Sequence, residues 1–78
     1  MKVQFEYTDT FSGEANYNWV KREDKTFKDN TPQTTVIKAA KRWAGLTGLA
    51  CRKFDLGDFI SLRPYRMCTV LFITWNYD

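Results

Sequence analysis

One stretch limits the possible folds most strongly, the run of β-forming residues from 59 to 75. Its second half alternates two sets of apolar side chains, so both faces of a strand built from it are apolar. Pro64 has no backbone N–H to donate and suits a turn, which we place at residues 63–66. The stretch therefore predicts a hairpin with strands at 59–62 and 67–75. We expect the second of these to be the central strand of the sheet.

The start of the chain predicts a second hairpin. Val3, Phe5 and Tyr7 alternate with polar residues, which is typical of a half-buried strand. A polar connection at residues 9–13 contains glycine, and a further alternating run follows at residues 15–20. Two alternating runs joined in this way indicate two antiparallel neighbours.

A charged stretch and an amphipathic helix follow this hairpin. Residues 21–30 are mostly charged or amide side chains and predict a loop, in which Phe27 packs at the edge of the core. Thr31 suits the N-cap of a helix and Pro32 its first position. Gly45 suits the left-handed C-cap. The apolar stripe between them consists of Val36, Ile37, Ala40, Trp43 and Ala44.

These elements predict the α+β class, in the order ββαββ, as a single compact domain over residues 1–78. An antiparallel sheet of about four strands carries one helix on one face. A single helix shields only one face of the apolar strand at 67–75. The second face is therefore a homodimer interface, a partner site, or a surface covered by residues 21–30.

Charge is distributed unevenly along the chain. Residues 31–78 hold seven Lys or Arg and three Asp or Glu, within a formal net charge of +3. This half of the protein is suited to nucleic acid or to an acidic protein surface, although ordinary solvation explains a mild excess equally well.

The two cysteines and the apolar runs bear on location. Cys51 and Cys68 are too few for a disulfide framework, so we expect reduced thiols packed in the core. An intermolecular disulfide formed during purification is the alternative. Met1 and Lys2 lead directly into a strand pattern, which indicates no signal peptide. No apolar run approaches membrane-spanning length, so we expect a cytoplasmic protein that does not enter a membrane.

The sequence contains no recognisable catalytic, cofactor or metal motif. Histidine is absent, and neither cysteine belongs to a Cys-x-x-Cys pair. Gly45 and Gly48 follow a helix, whereas a phosphate-binding loop precedes one, so they indicate helix termination. We therefore expect a protein that is not an enzyme and binds no cofactor.

Basic and aromatic residues form the remaining candidate site. Such a set meets phosphates or acidic side chains, and its aromatic members suit single-strand nucleic-acid binding. The alternative is that Tyr17, Trp19 and Trp75 belong to the core. The candidate partner-binding residues are Lys38, Lys41, Arg42, Arg52, Lys53, Arg63, Tyr65 and Arg66.

Six short motifs are spread along nearly the whole chain: EYTDT at 6–10, GEANYNWVKR at 13–22, KAAK at 38–41, AGLTG at 44–48, RPY at 63–65 and CTVLF at 68–72. Together they resemble a group of small phage and prophage proteins. Proteins of this size from such genomes include anti-CRISPR inhibitors of type I CRISPR-Cas effector complexes. The resemblance implies a non-enzymatic binder in the infected bacterial cytoplasm that blocks target-DNA binding or nuclease recruitment. Because many such inhibitors are acidic DNA mimics and this chain is basic, an acidic or mixed protein surface is the expected target.

Two hypotheses therefore stand. In the first, the protein inhibits an effector complex by binding one of its protein subunits. In the second, it is a small basic accessory protein that binds nucleic acid.

Overall fold

The computed structural model describes residues 1–75, which form an α+β structure with one helix and a five-stranded antiparallel sheet. The elements are β1 (Lys2–Phe11), β2 (Glu14–Thr26), α1 (Gln33–Ala44), β3 (Cys51–Asp55), β4 (Phe59–Pro64) and β5 (Thr69–Trp75). The predicted class is confirmed, but the predicted count of about four strands is corrected to five. The predicted domain of residues 1–78 includes 76–78, which lie outside the described residues.

β5 is the central strand, as the sequence predicts. The strands lie in the order β2-β1-β5-β4-β3, so β5 pairs with β1 on one side and β4 on the other. Ile73 lies opposite Phe5 in β1 and opposite Ile60 in β4. All three side chains are fully buried, because alternation places them on the same face of adjacent strands.

That face, called here the helix face, packs against α1. Val36 and Ala40 are fully buried in the helix. The ring of Phe5 lies 5.6 Å from that of Trp43 and 6.2 Å from that of Phe27. Phe27 thus packs at the core edge, as predicted. The buried core consists of Val3, Phe5, Tyr7, Val36, Ala40, Leu46, Ile60, Leu62, Leu71 and Ile73.

The two ends of the helix differ in how well the sequence predicts them. Gly45 is the C-cap with φ 76°, the left-handed conformation that its lack of a Cβ favours. The predicted N-terminus is wrong by one position: Pro32 is the N-cap, with ψ 146°, and Gln33 is the first helical residue. Thr31 therefore lies outside the helix and makes no side-chain capping bond.

The prediction of a loop at residues 21–30 is wrong for its first six residues. They belong to β2, where Lys21 lies opposite Tyr7 and Lys25 opposite Val3. Because β2 is at the edge of the sheet, its charged side chains remain in solvent and also discourage pairing with another chain. Residues 21–30 consequently do not fold across the second apolar face.

The predicted C-terminal hairpin has shifted boundaries. Arg63 and Pro64 lie within β4, and the loop is at residues 65–68. Pro64 is opposite Cys51 of β3. β3 is absent from the predicted order ββαββ; in the structure it is the fifth strand and the second edge of the sheet.

The other face of the sheet, called here the open face, is partly covered by the end of the β1–β2 hairpin. Arg63 on this face donates from Nη1 to the carbonyl oxygen of Gly13 at 2.7 Å. Val70, on the intervening strand β5, is fully buried on the same side, as is Thr8. Coverage by the hairpin was not among the predicted solutions. The homodimer expected from this apolar face remains a prediction.

A large irregular bulge in β2 interrupts the pairing of this hairpin. Thr8 pairs with Val20 but Thr10 pairs with Ala15, so four residues of β2 lie opposite Asp9. The carboxylate of Asp9 accepts hydrogen bonds from the side-chain amide of Asn16 and the backbone N–H of Asn18, both at 2.9 Å. Bulges of this kind increase the local bend of a strand.

Two phenylalanines provide a matched test of the core. Phe5 is fully buried, whereas Phe54 is 61% exposed. Phe5→Ala should cost about 3–5 kcal/mol, as much as the whole stability of a domain of this size, roughly 3–5 kcal/mol. We expect Phe5→Ala to be unfolded and Phe54→Ala to unfold within about 0.5 kcal/mol of the original protein. Circular dichroism and urea titration measure both; a folded Phe5→Ala variant contradicts the assigned core.

The hydrogen bonds in the bulge predict how the Asp9 carboxyl group titrates. The pKa of Asp9 is lowered from its ordinary value of 3.8, first by the Asn16 amide and also by the Asn18 N–H. A lowered folded-state pKa gives stability that is present above the unfolded value and is lost as pH falls through the folded value. In Asn16→Ala, carboxyl-carbon NMR should show the Asp9 pKa rising towards 3.8. The pKa of Glu23, which Lys25 and Trp43 lower, is the control and should stay unchanged.

Candidate functional site

The structure distributes the predicted partner-binding residues over three surfaces. The first is a helix pocket, defined by Lys38, Lys41, Arg42, Thr47 and Gly48. The second is an apolar corner, defined by Leu49, Ala50, Pro64, Tyr65, Arg66 and Met67. The third is an arginine strip on the open face, defined by Arg52, Phe54, Ser61 and Arg63.

The helix pocket is a shallow space of about 270 Å³ beside the C-terminal half of α1. Lys41 donates from Nζ to the carbonyl oxygen of Leu49 at 2.7 Å, so its ammonium group holds the chain that follows the helix. The helix dipole places negative partial charge at this end, which favours the basic side chains but not an added anion. The Lys41 contact and the helix dipole therefore explain the basic residues of this pocket without a ligand.

The apolar corner is a cavity of about 290 Å³ where the loop after β4 meets the residues before β3. The backbone N–H of Tyr65 donates to the carbonyl oxygen of Ala50 at 3.3 Å, which joins the two segments. The side chains of Leu49, Tyr65 and Met67 are exposed, Tyr65 by 69%. Arg66 supplies the charge in this otherwise apolar lining.

The arginine strip follows from the register of β3 and β4. Arg52 lies directly opposite Arg63, and Phe54 directly opposite Ser61. Because alternate residues share a face, all four side chains point to the open face and line a shallow groove of about 300 Å³. Within residues 1–75, neither arginine has a carboxylate within ion-pair distance.

Lys53 does not join the strip, although the sequence places it next to Arg52. It lies opposite Leu62 on the other face of the sheet. Its Nζ is 3.8 Å from a carboxylate oxygen of Asp55, two residues along the same face. The predicted basic set is thus divided between the two faces of β3.

A separate polar network covers the other half of the open face. Glu6 accepts hydrogen bonds from the hydroxyl of Tyr17 at 2.8 Å and from Nε of Arg22. The Glu6 carboxylate raises the pKa of Tyr17, because the neutral phenol donates the hydrogen bond. Charge is balanced in this half, in contrast to the arginine strip.

Two aromatic residues that we weighed as core residues are instead half-exposed. Tyr17 is 48% and Trp19 42% exposed. Trp19 packs edge-on to Tyr7 with ring centroids 5.2 Å apart, and Tyr17 has a left-handed backbone within the bulge. Trp75 packs against the core. Alternation along β2 could not place the first two, because the bulge interrupts the alternation.

Sequence reasoning missed the uncharged members of two surfaces. Phe54 and Ser61 complete the arginine strip, and Leu49 and Met67 complete the apolar corner. The alternation of Arg52 and Phe54 was a usable signal once residues 51–55 were read as a strand. No local pattern pairs Leu49 with Met67, because they meet only through tertiary structure.

The cysteines and the acidic residues offer no further site. Both cysteines are free; Cys51 packs against the core as expected, but Cys68 is exposed, which corrects the prediction for it. Within the described part of the chain, no group of three or more His, Cys, Asp or Glu is arranged to hold a metal ion. The helix at Gln33–Ala44 is not long and apolar enough to cross a membrane, and no other helix occurs in residues 1–75.

Comparison with known proteins found no matching family model, no matching curated protein and no matching solved structure. The structure itself shows an α+β fold with two candidate recognition surfaces, the apolar corner and the arginine strip.

The two facing arginines predict an unusual stability change. Like charges directly opposite each other destabilise a pair of strands, and opposite charges stabilise it by roughly 0.2–1 kcal/mol. Arg52→Glu should therefore raise the free energy of unfolding, with Arg52→Gln in between, and added salt should reduce the difference. Urea unfolding at two salt concentrations measures this. Arg66→Glu, in the loop, is the control; equal stability of all four proteins contradicts the assigned register.

Proposed function

We propose that this protein is a non-enzymatic binder that attaches to another protein through the apolar corner. The observation that supports this most directly is the exposure of Leu49, Tyr65 and Met67 around one cavity. Three large apolar side chains grouped on a small protein are typical of an interaction site. Tyr and Arg are, with Trp, the residue types enriched at the energetic hot spots of protein interfaces.

The corner is suited to an apolar side chain of the partner flanked by carboxylates. Its lining contains Arg66 and no acidic residue. Arg63 precedes Pro64 on β4 and Arg52 lies opposite Arg63 on β3, but both belong to the arginine strip, so Arg66 is the cation of the corner itself. Electrostatic complementarity of this kind steers association and selects among partners.

The narrower proposal comes from the resemblance to phage proteins. In it, the protein acts in the cytoplasm of an infected bacterium and covers an acidic or mixed surface of a type I CRISPR-Cas effector complex. Binding there blocks target-DNA binding or nuclease recruitment. The positive charge and apolar side chains of the corner support a protein target of that character. A protein that imitates DNA would need negative charge there instead.

The nucleic-acid hypothesis depends on a different surface, the arginine strip. The two hypotheses can therefore be separated by mutation. Arg63 and Arg66, three residues apart in sequence, belong to the strip and to the corner respectively. Reversing each one alone is more informative than reversing both.

Purified type I effector complexes provide the test. The original protein should bind one of them stoichiometrically and reduce its binding to target DNA. The double variant Tyr65→Ala with Arg66→Glu should lower the affinity at least tenfold, since it removes an aromatic anchor and reverses the charge at the corner. Binding is measured by size-exclusion chromatography and by calorimetry.

A matched control carries two changes of the same kind elsewhere. Phe11 is 72% exposed and Lys28 is exposed in a loop, so Phe11→Ala with Lys28→Glu changes an aromatic and a cation away from the corner. It should bind and inhibit as the original protein does. Full inhibition by the corner variant refutes the corner as the contact, and no binding to any type I complex refutes the narrower proposal.

A further inference from the structure

Two arginines face each other on the arginine strip without a compensating charge. Arg52 and Arg63 occupy directly opposite positions on β3 and β4. Side chains at such positions lie close enough for their charges to repel. The strand positions that share the open face on β3, β4 and β5 are Arg52, Phe54, Phe59, Ser61, Arg63, Val70, Phe72 and Thr74, none of them acidic.

The nearest carboxylates in sequence are engaged or lie outside these strands. Asp55 points to the other face, near Lys53, and accepts a hydrogen bond from the N–H of Gly57 at 2.7 Å. Asp58 lies in the turn between β3 and β4. An anion from outside the chain is therefore the group that would best relieve the repulsion between the arginines. Guanidinium groups bind phosphate and carboxylate alike through paired hydrogen bonds, so the choice of a phosphate depends on the aromatic ring beside the pair.

An exposed aromatic ring adjoins the pair. Phe54 follows Arg52 by two residues on the same face and is 61% exposed. A solvent-exposed phenyl ring on a sheet beside arginines is the arrangement on which unpaired bases stack. Phe59 and Phe72 extend the aromatic character of this face, with ring centroids 5.5 Å apart and stacked planes. Ser61 adds a hydroxyl group to the same groove.

We infer that the arginine strip binds single-stranded nucleic acid, with one backbone phosphate at Arg52, a second at Arg63 and one base on Phe54. A duplex is a poorer ligand, because its bases are stacked on each other and unavailable to the ring. The surface differs from the apolar corner, so this inference stands or fails independently of the protein-binding proposal.

Fluorescence anisotropy with labelled oligothymidylate, oligouridylate and a duplex of equal length tests the inference. The single strands should bind more tightly than the duplex at low salt. Contact with two phosphates should give a slope of about −1.4 for the logarithm of the association constant against the logarithm of salt concentration. Arg52→Ala should bring that slope to about −0.7, because one of the two phosphate contacts is lost. Phe54→Ala should weaken binding roughly five- to a hundredfold with the slope unchanged.

Charge-matched and conservative variants complete the design. The control Lys28→Gln with Lys38→Gln removes two cations from other surfaces and should leave binding nearly unchanged, whereas Arg52→Gln with Arg63→Gln should abolish it. Phe54→Tyr should retain binding, since it keeps an aromatic face. Arg52→Ala leaves the hydrogen bond from Arg63 to Gly13 in place, so it separates loss of binding from loss of fold.

Three outcomes overturn the inference. One is no binding to any single strand at low salt. Another is equal affinity for duplex and single strand together with no effect of Phe54→Ala, which indicates phosphate attraction without base stacking. The third is an equal loss of affinity in the lysine control and the arginine variant, which indicates attraction by net charge alone.

Discussion

The structure depends on the need to cover both faces of one strand with very little chain. β5 is central, and Leu71 and Ile73 on one side and Val70 on the other are fully buried. The single helix of residues 1–75 covers the first side. The β1–β2 hairpin partly covers the second side, and Gly13 at its end accepts a hydrogen bond from Arg63 on β4. The part of the chain that the structure describes thereby covers one face of its central strand with a helix and the other face in part with a hairpin.

The regular pairing of β1 with β2 is interrupted between Thr8 and Thr10, and Asp9 stabilises the backbone there. Four residues of β2 loop out opposite it, and two of them donate hydrogen bonds to its carboxylate. Without such a partner the N–H of Asn18 would lose its ladder bond without replacement. The same bulge carries Tyr17 to the hydroxyl contact with Glu6. Asp9 thus stabilises the bulge in the hairpin whose end contacts Arg63 on β4.

The parts of the fold that follow from periodicity could be predicted, and the parts that depend on long-range pairing could not. Residues 3–7, the stripe on α1 and Gly45 carry their own patterns. The charges at residues 21–26 look like a loop, because an edge strand needs little apolar surface once its neighbour, β1, fixes the register. The position of Trp19 was likewise hidden by the bulge. For the site, the sequence supplies the basic residues but not their partition, which the face alternation of β3 decides.

That partition changes what the charge asymmetry means for function. A single basic surface suggests one anionic partner, but Lys41 is committed to the carbonyl oxygen of Leu49 and Lys53 lies near Asp55. Lys38 and Arg42 stay at the helix pocket. The remaining charge divides into Arg66 beside apolar side chains and Arg52 with Arg63 beside an aromatic ring. Apolar surroundings favour a protein contact, whereas two facing guanidinium groups beside an exposed ring favour phosphate and a base. Because β4 supplies Ser61 and Arg63 to the strip and Pro64 to the corner, a partner held at one of them lies next to whatever occupies the other.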